Sequence, residues 1–132
     1  MTDEAMDTPP QPIRTILVVD DNHDIRRLLR LALGGAYDVL EADDGDKGLE
    51  LVRKHSPDLV ILDIMMPGTL DGLQVLEVIK TSPELKHIPV AMLTARGQAN
   101  DCEFGLGKGA DAYFVKPFSP LKLLQWVKET LG

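Results

Sequence analysis

Short apolar runs alternate with amphipathic stretches along most of this 132-residue chain. The first run is Thr15-Ile16-Leu17-Val18-Val19, ending in Asp20-Asp21. A weaker one is Tyr37-Asp38-Val39-Leu40. The third is Leu59-Val60-Ile61-Leu62, ending in Asp63. Ile88-Pro89-Val90-Ala91-Met92-Leu93 ends in Thr94, and Ala112-Tyr113-Phe114-Val115 ends in Lys116. The first and third runs are almost wholly apolar and do not alternate, which predicts strands covered on both faces in a parallel sheet. Between the runs, Ile25, Leu28, Leu29 and Ala32 repeat at helical spacing, as do Leu73, Leu76 and Ile79, and then Leu124, Val127 and Leu131. Gly34-Gly35 is expected to stop the first helix, because glycine readily takes the left-handed conformation of a helix end. Ser119-Pro120 starts the last helix, with Ser as N-cap and Pro at the first helical position. A fourth helix, about Gln98 to Gly107, is weakened by Gly105, Gly107 and Gly109. Five strands alternating with five helices predict a doubly wound α/β fold, with right-handed crossovers placing helices on both faces of the sheet. Residues 1–13 read as a flexible acidic tail and 14–132 as one domain, with no internal repeat.

Composition narrows the function. Hydrophobic residues make up 44% and charged residues 27%, the balance of a globular domain with a single core. A net charge of −7 argues against direct nucleic-acid binding, which needs a basic patch. No apolar stretch approaches the roughly 18 residues of a membrane span, and the start of the chain lacks the features of a signal peptide. The single cysteine, Cys102, suits a reducing cytoplasm and reads as a helix residue rather than a redox sensor. Trp126 reads as packing on the last helix. His55 and His87 read as loop residues, and His23, early in a helix, as solvent-facing.

The candidate chemistry lies at the ends of the runs. Asp20, Asp21, Asp63, Thr94 and Lys116 each stand at the carboxyl end of an apolar run. In a parallel sheet those ends share one edge, where open α/β sheets bind ligands. Singly, each acid reads first as a cap or loop residue, Lys116 as a solvated lysine and Thr94 as a strand-end or cap residue. Jointly they bring three carboxylates, a hydroxyl and an ammonium to one rim. Three close carboxylates repel unless a cation intervenes. Mg²⁺ is the natural partner, since it takes oxygen ligands and often pairs carboxylates with a phosphate oxygen. Mg²⁺ and Lys116 would bring the three acids to formal neutrality, and an Asp carboxylate can serve as nucleophile for a phosphoryl group.

These residues bring a family into view. The chain resembles the receiver domain of two-component response regulators, a CheY-like fold, from about Arg14 to Leu131. Ile16-Leu17-Val18-Val19-Asp20-Asp21, Leu62-Asp63-Ile64-Met65-Met66-Pro67-Gly68, Leu93-Thr94-Ala95 and Gly109-Ala110-Asp111-Ala112-Tyr113-Phe114-Val115-Lys116-Pro117-Phe118 carry the resemblance. It implies a flavodoxin-like five-stranded sheet of order 2-1-3-4-5. It implies Asp63 as phosphoacceptor, with Mg²⁺ held by Asp20, Asp21, Asp63 and the backbone carbonyl of Met65. Lys116 would contact the phosphoryl group, Thr94 would hydrogen-bond it on activation, Tyr113 would be the switch aromatic, and Pro117 would follow a cis peptide bond. Met65 and Arg96 would occupy the positions that tune the lifetime of the phosphoryl group, Arg96 either reaching it or lying in solvent. The implied partners are a histidine kinase or histidine phosphotransfer protein and a downstream protein that reads the face of the fourth helix, fifth strand and fifth helix. The chain would act as a monomer or a phosphorylation-dependent homodimer. It would catalyse its own phosphorylation and dephosphorylation without being an enzyme in the ordinary sense.

One departure from the family pattern is Thr69-Leu70, two residues where one is usual between Pro67-Gly68 and Asp71-Gly72. The alternatives are a phosphohydrolase with an Asp nucleophile, a binding module that keeps the fold without phosphorylation, and a flavodoxin-like cofactor protein. The first would carry its nucleophile on the first strand in an Asp-x-Asp pattern, whereas Asp20 and Asp21 are adjacent. The intact acids, Thr94 and Lys116 speak against the second. The third lacks a phosphate-binding loop after the first strand.

Overall fold

A computed structural model describes residues 13–66, 68–95 and 109–132. In chain order the elements are β1 (Thr15–Val19), α1 (His23–Leu33), β2 (Asp38–Ala42), α2 (Gly45–His55), β3 (Leu59–Asp63), α3 (Gly72–Thr81), β4 (Val90–Ala95), β5 (Ala112–Lys116) and the C-terminal helix α4 (Pro120–Leu131). The strands form one parallel sheet of order β2-β1-β3-β4-β5. The expected helix at about 98–107, Arg96, Cys102, Pro67 and the tail through residue 12 lie outside the described residues.

Alternation along the strands builds two cores. Leu17 and Val19 of β1 face α2 and α3, where they pack with Val52, Val75, Leu76 and Ile79. Ile16 and Val18 face α1 and α4, where they pack with Leu29, Leu33, Leu123 and Val127. Successive strand residues point to opposite faces, so a strand between two helical layers must be apolar throughout. β3 is accordingly buried at all five positions. The order reverses between β1 and β3, and such a switch point opens a crevice at the carboxyl ends of the strands. Among the described residues no helix is long and apolar enough to cross a membrane.

Three expectations need correction. Gly34 does end α1, but with φ −65° in the right-handed region. A Cβ there would stand 2.6 Å from the Arg30 carbonyl oxygen, so glycine serves for room rather than handedness. Leu28, counted on the apolar stripe, is 42% exposed, and Leu33 takes the buried position instead. His55 is the last residue of α2, not a loop residue, and the neighbouring Arg53 and Lys54 set positive charge at the helix's carboxyl end. At the other end of the chain, Ser119 accepts from the Lys122 N–H with Pro120 following it, as expected. Trp126 packs edge-on to Phe114, with ring centroids 6.1 Å apart.

Candidate functional site

Asp20, Asp63 and Thr94 are buried polar side chains within a hydrophobic core, each at the carboxyl end of a strand. Burial of this kind requires compensation by hydrogen bonds or countercharge. Asp20 sits in the turn from β1 into α1. Its N–H donates to the Ala42 carbonyl oxygen at 3.1 Å, which continues the β1–β2 pairing one residue past the strand. Its Oδ1 accepts from the Asn22 N–H at 2.9 Å. Asn22 in turn caps α1 through the N–H groups of Asp24 and Ile25. The exposed Asp21 stands between them. Asp63 closes β3, and one carboxylate oxygen from each of Asp20, Asp21 and Asp63 lies within 4.8 Å of the others. The sheet edge therefore assembles the three acids as expected.

Lys116, from the end of β5, reaches across the sheet to both buried acids. Its Nζ lies 3.2 Å from Asp63 Oδ1 and 3.1 Å from Asp20 Oδ2. One ammonium does not satisfy two buried carboxylates. Burial, followed by the charge of Asp20, raises the pKa of Asp63 to about 7 against the lowering effect of Lys116. Burial disfavours the Lys116 cation, but the two acids outweigh it and hold its pKa above the ordinary value. The Asp20 Oδ2 atom is buried and, among the described residues, receives no aligned hydrogen bond, so its contact with Lys116 is an ion pair. An oxygen-rich cluster with excess negative charge, three carboxylates facing one ammonium, suits a hard divalent cation such as Mg²⁺. The donor set fits that ion.

The remaining candidates surround this centre. The Met65 N–H points back to Asp63 Oδ1 at 3.4 Å, so the chain folds over the acid as it leaves β3. Thr94 is buried next to Leu93, which is paired with Asp63 across β3 and β4. Tyr113 is opposite Met92, and Thr94 is opposite Val115. Thr94 and Tyr113 thus share one face of the sheet as diagonal neighbours. Tyr113 is half-buried against the α2–α3 core. The Lys116–Pro117 peptide bond is cis, as the resemblance implied.

The unusual Thr69-Leu70 loop docks on α2, where the Thr69 hydroxyl donates to Asp46 Oδ2 at 2.6 Å and Leu70 packs against the core. Asp71 then caps α3 in a reciprocal pair with Gln74. The Ile64 N–H still donates to the Leu93 carbonyl oxygen at 3.0 Å, so sheet pairing carries through beyond Asp63. Asp111, part of a matching motif, has a structural place, since its Oδ2 accepts from the Val90 N–H at 2.8 Å and pairs with Lys80 at 3.1 Å.

Two contributors escaped the sequence reading. Arg26 donates to the Asp20 carbonyl oxygen, and Gly72 lets α3 approach the end of β3. Arg26 lies among other charged residues of α1, and nothing in its spacing marks it. Gly72 follows the N-cap Asp71, a sequence signal that supports a helix start without revealing the close approach.

The response regulator receiver domain model matches residues 16–128. Among curated relatives, the phosphate regulon transcriptional regulatory protein PhoB of Klebsiella pneumoniae is 40% identical over 119 residues, covering 89% of this chain and 52% of its own length. The transcriptional regulatory protein ResD of Bacillus subtilis is 44% identical over 117 residues, covering 88% and 47%. The chain therefore spans about half the length of these relatives. Among solved structures, the receiver domain of NtrX from Brucella abortus superposes with a TM-score of 0.82 at 34% identity, covering 88% of this chain and 97% of that one.

Proposed function

This chain belongs to the response regulator receiver domain family, and from that premise we propose that Asp63 is its phosphoacceptor. Receiver domains take part in their own phosphorylation and dephosphorylation and work as signalling switches rather than as ordinary enzymes. The single observation that carries the assignment is the setting of Asp63. It is 3% exposed, clustered with Asp20 and Asp21, and in ionic contact with Lys116.

In this reading a carboxylate oxygen of Asp63 attacks the phosphorus of a phosphohistidine donor. A P–O bond to Asp63 forms as the P–N bond breaks, and the imidazole leaves with the electron pair. Asp20, Asp21, Asp63 and the Met65 carbonyl would hold Mg²⁺, which supplies charge stabilisation to phosphoryl oxygens when bound. Lys116, already between two carboxylates, is placed to neutralise a further phosphoryl oxygen. It starts as a counterion to Asp63 and Asp20 and shifts its contact as negative charge moves onto the phosphoryl group. Thr94 turns its hydroxyl toward that group, and Tyr113, its diagonal neighbour, follows inward. The free-energy source of the switch is the added charge and the acceptor oxygens of the aspartyl-phosphate.

The donor would be a histidine kinase or histidine phosphotransfer protein. The reader would be a downstream protein that binds the phosphorylated state better. The signalling face would include β5 and α4, with the chain a monomer or a phosphorylation-dependent homodimer in the cytoplasm. The domain itself would contact neither nucleic acid nor membrane, in keeping with its net charge of −7. Incubation with acetyl phosphate and Mg²⁺, followed by intact mass measurement, tests the assignment. One labile phosphoryl group is expected, lost in Asp63→Asn and lost with chelator. A stable adduct would count against it.

A further inference from the structure

Every polar position of Asp20 has a partner. Its N–H is taken by Ala42 and its Oδ1 by the Asn22 N–H. Its carbonyl oxygen accepts from Arg26 Nη1 at 2.7 Å. Its Oδ2 meets Lys116 Nζ at 3.1 Å as an ion pair, with no aligned hydrogen bond among the described residues.

Arg26 is itself fixed. Its Nε lies 3.2 Å from Glu41 Oε1, and Glu41 Oε2 meets Arg30 Nη2 at 2.5 Å. Its side chain is 15% exposed and that of Glu41 23%, so this pair lies largely out of solvent. Nη2 lies 3.5 Å from His23 Nδ1 on the solvent side. The planar guanidinium uses two edges at once, one on the Asp20 carbonyl just past β1 and one on the β2 carboxylate of Glu41, which a lysine ammonium reproduces poorly. Arg26 touches Asp20 at its carbonyl oxygen and not at its carboxylate, behind the acid cluster. Its effect there is geometric.

We propose that Arg26 is a positioning residue for the cation site, locking the Asp20 backbone between β1 and β2 so that Oδ2 faces the acid cluster. This rests on the reading of Asp20, Asp21 and Asp63 as a Mg²⁺ site. Groups that orient metal ligands from behind commonly change affinity by about 10- to 100-fold when removed.

The test is isothermal titration of the metal-free protein with Mg²⁺ alone, run well below each variant's melting temperature. Arg26→Gln is expected to weaken the Mg²⁺ dissociation constant by about 10-fold. Arg26→Lys is expected to fall between Arg26→Gln and the parent, and it serves as the measured variant should Arg26→Gln fail to fold. Arg30→Ala, which removes only the exposed outer partner of Glu41, should stay within about twofold. A residue with only a structural role would lower the melting temperature and leave the dissociation constant of the folded protein unchanged. Arg26→Gln or Arg26→Lys binding Mg²⁺ as tightly as the parent would overturn the proposal while leaving the metal-site reading intact. A parent that binds no Mg²⁺ would overturn both.

Discussion

The backbone carbonyl oxygen of Asp63 lies 1.9 Å from where a Cβ on Gly72 would stand. The start of α3 therefore presses directly on the last residue of β3, and the Gly72 N–H donates to the neighbouring Ile64 carbonyl oxygen at 2.9 Å. The contact couples packing to chemistry, because moving either backbone moves the Asp63 carboxylate.

Gly72→Ala should accordingly damage both stability and the site. No flexible side chain can yield, since the obstructing atoms are backbone. The expected loss is at least about 2 kcal/mol, within the range for forced overpacking. Urea unfolding at constant m-value checks it, together with a slower rate of phosphorylation by acetyl phosphate in the fraction that folds.

Lys116→Met removes the shared counterion of Asp20 and Asp63. Breaking a buried pair costs roughly 3–5 kcal/mol when the remaining charge is trapped. Here the loss should sit at the lower end, because Lys116 is 23% exposed and Asp63 can take up a proton. Thermal melts in chelator should show the loss, and Mg²⁺ should restore part of it.

The raised pKa of Asp63 makes metal-free stability fall with pH. An ordinary aspartate in the unfolded chain ionises near 3.8, whereas folded Asp63 holds its proton to about 7. Between those values the unfolded state binds fewer protons, so Asp63's contribution destabilises the fold as pH rises and levels off above 7. In chelator, the parent should lose stability across that window relative to Asp63→Asn, which lacks the titrating group. Mg²⁺ competes with the proton, so its stabilising effect should be larger at pH 8 than at pH 5.5. Denaturant midpoints with and without Mg²⁺ at the two pH values provide the check.

The Thr69–Asp46 contact predicts a local effect. Thr69→Val removes a hydroxyl donor at an exposed position, with an expected cost of about 1 kcal/mol or less. Hydrogen exchange should rise in the 68–71 loop and stay unchanged at Ile64, whose N–H is anchored to β4.

The sheet and the acid cluster were legible because burial on two faces forces unbroken apolar runs. Polar residues at the ends of such runs then stand out, as Asp20, Asp63 and Thr94 do. The contribution of Gly72 depends on a carbonyl brought near by tertiary packing, which local pattern does not encode. Arg26 is invisible for a similar reason, since its partners are a carbonyl just past one strand and a carboxylate on another. Leu28 shows the limit of periodicity. Spacing places it on a stripe, but the neighbouring elements cover only part of that stripe, leaving it exposed and Leu33 buried.

The identity of the phosphorylated side chain bears most directly on how the site works. Treatment of the acetyl phosphate–loaded protein with borohydride reduces an aspartyl-phosphate to homoserine, which peptide mass spectrometry locates. Homoserine at position 63, and none in protein loaded without Mg²⁺, is the expected result. Homoserine at another acid, or a phosphoryl group that resists reduction because it sits on Ser, Thr or His, would contradict it.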